Sequence, residues 1–530
     1  MRIAVIIDND RIARWQLAAL NKINCCDQIT ILRCNNTKTK IRVFKNFLYY
    51  VLNLCSIQNS ETKQISIRNT SKAINNIFTF DSEQIGQWQK LPDTIINLIR
   101  GEKIDVILKF GMNLLKVPPK EEMPCPILSF HHGNPSEFRG RPAGFHEMIQ
   151  NRKKMGQVVQ ILSNTLDAGT VIAKGSTKIY PYSYRSTLKE CFKNSPLLIN
   201  IALNNIASTN KLPTYSKIGP LYVLPGNWLV IKFIIKLFYN LFKRALYGAF
   251  YEKRWKVSTI SISNHNTNPD MFIHDLNSNP WITLPILPEY TFYADPFFYS
   301  ESNDILVEGM NRKTGRGEIL YLNLEGAQKI SNSVYHYSYP ASIIEQGKTY
   351  IIPEIMEWSK PKIYLLKNRK MTEVSTLRIA ESPALIDPTF FWYNNTLYLF
   401  GNVEGIGPNA LMLWHSDSLF GEFIQHCDSP IRISPKGSRM AGNLYSREDQ
   451  LFRFGQNNTQ DYGNGIFVFK INALSPSKYQ ETLIGNLKFD HCKGPHTLNF
   501  SKDQVVFDWY HDTFSPVAGV RRVYDRFIRS

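Results

Sequence analysis

Short, nearly unbroken apolar runs recur through the first third of the chain: "RIAVII" (2–7), "QITILR" (28–33), "DVILKF" (105–110), "ILSFH" (127–131) and "VVQILS" (158–163). The first two flank a helix-like segment, "RIARWQLAALNKI". Runs of this kind are parallel strands buried on both faces, with helices covering the sheet. The pattern therefore predicts an open-sheet, Rossmann-like α/β domain over residues 1–205. Within it, "KTKIRVFKNFLYYVLNLCSIQNS" reads as a basic, largely helical insertion.

The period changes at "GNWLVIKFIIKLFYNLFKRALYGAF" (226–250), where Lys232, Lys236, Asn240 and Lys243/Arg244 recur every three to four residues among Trp, Leu, Ile and Phe. This is a narrow polar stripe on a broad apolar helix. Cations at these intervals argue against a bilayer span, which needs about twenty mostly uncharged residues. Two readings stay open for the connector 206–253: a helix packed between domains with its lysines in solvent, or a helix whose residues 227–247 lie in an anionic membrane interface.

The second half repeats itself. "YADPFFYSESNDILVEG" (293–309), "SYPASIIEQGKTYIIPE" (338–354), "LIDPTFFWYNNTLYLFGN" (385–402), "RMAGNLYSREDQLFRFGQ" (439–456) and "KGPHTLNFSKDQVVFDW" (493–509) share one plan. Each has a small or Pro-bearing start, an alternating strand, a polar turn, and a second strand ending in Gly or an acid. Starts about 45 to 54 residues apart match the period of a four-stranded blade. Residues 254–515 are thus expected to form an all-β five-bladed propeller, with "RWKVSTISIS" (254–263) joining the last blade, and 516–530 a C-terminal tail.

Composition separates the halves further. Of the net charge of +18, residues 1–250 carry the excess, with 34 Lys/Arg against 15 Asp/Glu, while the remainder is near neutral. A basic half attracts polyanions in general. Hydrophobic residues at 43% exclude a disordered chain. The start "MRIAVIIDND" lacks the apolar core of a secretory signal. Eight cysteines without CxxC or Cys/His spacing suit reduced thiols, so neither disulfides nor a metal are expected. The expected location is cytoplasmic, peripherally at the inner face of the membrane if the helix lies there.

Acyl transfer to an amine needs an oxyanion donor, a proton-handling group and a carboxylate near one carbonyl carbon. His131 ends one apolar strand, Ser129 lies two residues before it on the same face, and Asp167 follows the next strand. "FRGRPAG" (138–144) adds cations and turn residues suited to phosphate or carboxylate.

The segments "DVILKFGMNLL", "ILSFHHGNPSEFRGRPAGFHEMI" and "MGQVVQILSNTLDAGTVIAKG" resemble the folate-dependent formyltransferases, a family that acts on methionyl-tRNA, glycinamide ribonucleotide and amino sugars. That family carries Asn-x-His on a strand, a loop ending in Arg-Gly, and a Leu-Asp-x-Gly loop. The resemblance places the family histidine at His131 and the aspartate at Asp167, but puts Ser129 where the family has asparagine. It implies 10-formyltetrahydrofolate as donor and an amino sugar, nucleotide-linked, as acceptor in surface polysaccharide biosynthesis. His132, Asn134, Arg139, Gly140 and Arg141 become candidate substrate-binding residues. No tRNA-recognition module is visible, and no nucleic acid partner is expected.

The repeats resemble the five-bladed, glycosidase-like domain at the N-terminus of plant glucosamine inositolphosphorylceramide transferases. Asp295, Pro340, Asp387, Arg439 and His496 occupy comparable blade starts, and Glu308 and Glu354 end second strands. The resemblance implies a carbohydrate-recognition surface formed by Asp295, Glu308, Glu354, Asp387, Arg439 and His496, or a hydrolytic or glycosyl-transfer site. The alternative to formyl transfer is then a glycan-binding or glycan-processing propeller joined to a degenerate formyltransferase domain.

Overall fold

A computed structural model describes residues 1–529 except 38–43, 120, 209–217, 262–275, 279, 300–302, 324–325, 333, 356, 358–359, 382, 448 and 461. The chain divides into two compact units, Met1–Phe242 and Lys243–Ser530.

In the first unit, β1 (Ile3–Ile7) is buried at every position. It is followed by α1 (Arg14–Asn21), β2 (Gln28–Cys34), α2 (Phe47–Ser56) and β3 (Ala73–Phe80). Next come α3 (Asp93–Gly101), β4 (Val106–Lys109), β5 (Ile127–His131), α4 (Phe145–Ile149), β6 (Lys154–Ile161) and β7 (Thr170–Lys178). α5 (Tyr184–Asn194), α6 (Leu198–Ala207) and α7 (Asn227–Phe250) complete the series. The seven strands form one sheet in the order β7-β6-β5-β4-β1-β2-β3. β3, β2, β1, β4 and β5 run parallel, as the unbroken apolar runs require. β6 departs from that expectation: it runs antiparallel to β5, and β7 antiparallel to β6.

Local chemistry explains the helices. α3 begins after Pro92 with Asp93 in its first turn, where the helix dipole favours an acid, and buries Ile95, Ile96 and Ile99. α5 is capped by Ser183, whose hydroxyl accepts the Ser186 N–H. One face of the sheet covers a core around Ile6, Leu32, Ile107 and Ile127, and the other a core containing Trp15, Phe145, Tyr184 and Phe233.

α7 meets its expected orientation in part. Lys232, Lys243 and Arg244 are exposed, whereas the Lys236 ammonium turns inward and donates to the carbonyls of Met148 and Ile149, both at 2.7 Å, at the C-terminal end of α4. Asn240 donates to Pro181 O and Lys236 O. Val230 and Phe233 are buried in the core, whereas Trp228, Ile235, Phe238 and Phe242 are exposed. The carbonyls at the end of α4, of which Met148 O also accepts the Asn151 N–H at 3.2 Å, are what draw the lysine inward. The boundary between the two units falls inside this helix.

The second unit opens with β8 (Tyr251–Ser261). The five repeats are five hairpins: β9 (Tyr290–Phe298) with β10 (Ile305–Asn311), β11 (Tyr337–Glu345) with β12 (Lys348–Ile355), β13 (Leu385–Tyr393) with β14 (Thr396–Val403), β15 (Lys436–Met440) with β16 (Gln450–Asn457), and β17 (Leu498–Phe500) with β18 (Gln504–Phe514). Further antiparallel strands extend the first four into separate sheets. The fifth is extended by β8, which pairs with β18 from Tyr251 opposite Phe514 to Ser261 opposite Gln504. The expected tail is instead α8 (Ala518–Arg529), tied by an Arg521–Glu252 ion pair at 2.9 Å and by Arg522 donating to the carbonyls of Gly248 and Tyr251. All eight cysteines are free.

The observed rotation of α7 is testable by urea unfolding. Phe233→Ala removes a buried ring and is expected to cost about 3–5 kcal/mol, whereas Phe238→Ala should stay within about 0.5 kcal/mol. The reverse order would place the wrong face of the helix in the core.

Candidate functional sites

Strand register builds the first site. Ser129 on β5 is paired with Lys109 on β4 and with Gln160 on β6, and His131 with Val158. Cross-strand partners share a face, as do residues two apart on one strand. Lys109, Ser129, His131 and Gln160 therefore emerge on one side near the carboxyl ends of β4 and β5, where open α/β sheets hold ligands. The turn between β6 and β7 delivers Asp167, whose Oδ1 lies 3.5 Å from His131 Nδ1. Its Oδ2 accepts the Gly140 N–H at 2.9 Å. The Asp167 backbone is left-handed, with φ 46°, a conformation that a short polar side chain tolerates best.

His131 is buried, and its Nε2 lies 3.1 Å from the Phe138 carbonyl oxygen. Oxygens thus face both ring nitrogens. Two glycines make room for this arrangement. A Cβ at Gly133 would lie 2.7 Å from His131 Nε2, and one at Gly140, where φ is +86°, 2.0 Å from the Tyr222 carbonyl oxygen. Gly140 can therefore present its N–H to Asp167 only as glycine.

The other sequence candidates fall in different places. The Ser129 hydroxyl has one long hydrogen bond, to the Phe130 carbonyl at 3.4 Å. Asn134 is engaged within its own turn, with Glu137 and Ser136. Arg139 ties the loop together through Gly219 O and Leu166 O, and Arg141 is exposed. His132 is turned to the opposite side, which corrects its expected role in substrate binding. Its ring packs edge-on against Trp15 and Phe192, and Nε2 lies 2.9 Å from Ser195 Oγ. Burial, with His131 adding to it, pushes its pKa down to about 3, so it stays neutral.

Sequence reasoning missed Lys109. Burial pushes its pKa down to about 8, with Asp8 and Asp167 pulling the other way. A cation sensitive to pH near neutrality therefore stands beside Ser129. Only the pairing of β4 with β5 discloses it.

The second unit holds a denser cluster. Three successive repeats place a left-handed residue immediately before proline: Asp295, Tyr339 and Asp387, with φ of 49°, 46° and 49°. Each sits in a bulge of the first strand of its sheet. Bulges redirect side chains, and such backbone costs about 1–3 kcal/mol per residue. The Asp387 carboxylate takes a two-pronged contact from Arg439, at 2.6 and 2.8 Å, and a third hydrogen bond from Gln456 at 2.9 Å. Glu354 accepts the Asp387 N–H at 3.1 Å and lies 3.9 Å from Arg439 Nη2. His496 Nδ1 stands between Asp508 at 3.0 Å and Asp295 at 3.3 Å. Thr497 donates to Asp295 at 2.7 Å.

The electrostatics set these carboxyls apart. Burial, reinforced by Asp387, pushes Glu354 up to about 8 despite Arg439. Burial pushes Asp295 up to about 6, with Asp508 and Asp387 adding to it and His496 opposing. Burial works against a charged His496, but Asp508 and Asp295 overcome it and raise its pKa. At neutral pH Glu354 can give a proton and Asp295 can take one, a division of roles set by environment. Ligand atoms of Asp295, His496 and Asp508 lie within 4.8 Å of one another, close enough for a cation. When protonated, His496 itself supplies positive charge between the two carboxylates.

Tyr462 joins this cluster: its ring lies 4.7 Å from His496 and 5.3 Å from the Arg439 guanidinium, and Trp255 adds a second ring 5.1 Å from His496. Glu308 does not join. Register puts it opposite Ala294 rather than Asp295, and it lies 3.6 Å from His336. Asp508, missed as a site residue, is the acid on the second strand of its repeat, as Glu354 is of its own, so the repeat plan itself contained that signal.

Residues 279–505 match the sequence family described as "Glucosamine inositolphosphorylceramide transferase 1, N-terminal". The chain is 27% identical over 249 residues to a glucosamine inositolphosphorylceramide transferase 1 of Oryza sativa subsp. japonica, covering 41% of this chain and 32% of the relative. An Arabidopsis thaliana protein of the same name is 27% identical over 211 residues, covering 36% and 27%. The chain thus spans about a third of the length of these relatives. Among solved structures, similarity is found to a sugar 3N-formyl transferase (13% identity, TM-score 0.27, covering 63% of this chain and 98% of that one). It is also found to a glycinamide ribonucleotide transformylase 1 from Symbiobacterium toebii (14%, 0.26, 42% and 94%). A third is a family 117 glycoside hydrolase from Zobellia galactanivorans (10%, 0.31, 49% and 90%).

The shifted carboxyl has a measurable consequence. Glu354 binds its proton more tightly folded than unfolded, so its contribution to stability is complete below the ordinary 4.5 and is lost as pH rises through about 8. Glu354→Gln should flatten the fall in denaturation midpoint across that window. An unchanged pH profile would mean that the carboxyl is ionised in the folded protein.

Proposed function

We propose that the first unit transfers a formyl group from 10-formyltetrahydrofolate to the amino group of a nucleotide-linked sugar, in the assembly of a surface polysaccharide. The observation that carries this reading is the approach of Asp167 Oδ1 to His131 Nδ1, at 3.5 Å, beside the carboxyl ends of β4 and β5. In the proposed step the amine nitrogen attacks the formyl carbon, and the Nε2–H of His131 exchanges the Phe138 carbonyl for the developing oxyanion. Asp167 orients the ring through Nδ1 and accepts the proton from the attacking nitrogen. The new C–N bond forms, the bond from the formyl carbon to folate N10 breaks, and N10 leaves carrying the proton that Asp167 returns.

A second reading is favoured by a different observation. We propose that the five sheets are blades of a closed five-bladed propeller whose Asp295, Glu354 and Asp387 face a glycan. The full-length pairing of β8 with β18 supports closure, because it joins the start of the unit to its end. The divergent proton affinities of Glu354 and Asp295 support acid/base work on a glycosidic bond, and the rings of Tyr462 and Trp255 support stacking on a sugar. The similarity of 279–505 to the N-terminal region of transferases named for glucosamine and inositolphosphorylceramide supports a glycan role for this half.

Incubation with 10-formyltetrahydrofolate and a panel of dTDP- and UDP-linked amino sugars tests the first reading. His131→Ala and Asp167→Asn should each lower the rate by about 10²-fold or more. Transfer that survives both substitutions rejects the site. No transfer by the unaltered chain, together with glycan binding that Asp387→Asn abolishes, selects the second reading.

A further inference from the structure

Two helices of the first unit present apolar faces that no described residue of that unit covers. α2 buries Tyr49 and Leu52 but exposes Phe47, Val51 and Leu54, a spacing of four and three that defines one helical stripe. Residues 227–242 of α7 bury Val230 and Phe233 in the same core. Their outer face shows Trp228 at 68% and Phe238 at 67% exposure, with Ile235 and Phe242 beside them. The two helices begin side by side: Asn227 Oδ1 accepts the Leu48 N–H at 3.0 Å, and its Nδ2 donates to the Phe44 carbonyl at 3.1 Å. Patches of this kind mark interaction surfaces.

Charge indicates the occupant. No Asp or Glu occurs between Asp27 and Glu61, or between Glu190 and Glu252, whereas Arg33, Lys45, Lys193 and Lys232 do. Lys45 and Lys232 are exposed, and the Lys232 ammonium lies 5.5 Å from the Trp228 ring. A surface of aromatic and aliphatic side chains with cations and no carboxylate complements anionic headgroups above acyl chains. A two-fold dimer would set the same cations against each other. No described helix is long and apolar enough to cross a membrane, so contact would be in the plane of the interface.

We propose that α2 and residues 227–242 of α7 dock the first unit on an anionic membrane surface. Phe47, Leu54, Trp228, Phe238 and Phe242 enter the boundary between headgroups and acyl chains, and Lys45 and Lys232 meet the headgroups. Lys236 and Asn240, held by the carbonyls of Met148, Ile149 and Pro181, take no part in this surface, and the proposal does not depend on either reading of the protein's chemistry.

Flotation of the full chain with vesicles of phosphatidylcholine alone, and of phosphatidylcholine with phosphatidylglycerol, tests it. Binding is expected only with phosphatidylglycerol and should weaken as salt rises. Phe238→Glu with Phe242→Glu should lower partition at least about tenfold, and Lys232→Glu about fivefold or more. Lys313→Glu, a charge reversal on an exposed residue of the other unit, should change nothing. Thermal unfolding and light scattering of each variant separate lost docking from misfolding, and Lys232→Glu remains informative if the double variant does not fold. Failure to float with phosphatidylglycerol vesicles at low salt overturns the proposal. Equal flotation of all variants overturns it as well, as does a lipid-free dimer that the double variant dissociates.

Discussion

A slip of one residue between β5 and β6 would turn Gln160 away from Ser129 and send every alternate side chain to the other face of the sheet. Register, held by the buried runs on β1, β4 and β5, is therefore what the first site rests on. It selects His131 for the crevice and sends its neighbour His132 to an aromatic core. It also sets Lys109 beside Ser129. Asp167 is held less by its own strand than by the Gly140 N–H, so the β5–α4 loop and the β6–β7 turn position each other. The geometry at His131 is thus a property of backbone as much as of side chains.

The second unit meets a different constraint, since several carboxyls are buried at the starts and ends of strands from different sheets. Burying a charge is costly unless it is paired and hydrogen-bonded. Asp387 meets that demand fully, through Arg439 and Gln456, and Asp508 does so through His496 and backbone N–H groups. Among the described residues Glu354 has only the Asp387 N–H and a distant guanidinium, and responds by holding its proton. Unequal compensation among similar groups is what differentiates them chemically.

Much of this was legible in the chain. Apolar runs announced the buried strands, and the repeat plan located all five hairpins, because period and turn chemistry are local signals. Which way β6 runs was not legible, since an apolar strand reads the same in either direction. Lys109 escaped because its significance lies in a pairing across strands. Glu308 and Glu354 look alike in the repeat, yet register separates them: one faces His336 and the other joins Asp387. The inward turn of Lys236 was missed because its ammonium was assigned to water by type, as suits the exposed Lys232 and Lys243, whereas carbonyls at the end of α4 were a better partner.

The zipper between β8 and β18 carries a consequence for biogenesis. Nearly 250 residues separate its two strands, so β8, which otherwise pairs among the described residues only at Ser258 and Thr259 with Thr283 and Ile282, has no full-length mate until the last hairpin has left the ribosome. Loop closure over such a span is slow, and the first unit, whose sheet is complete by Lys178, can consolidate meanwhile. Throughout that interval β8 offers an unprotected edge to neighbouring nascent chains. Selection on this protein thus bears on its speed of synthesis and its chaperone traffic, as well as on its chemistry.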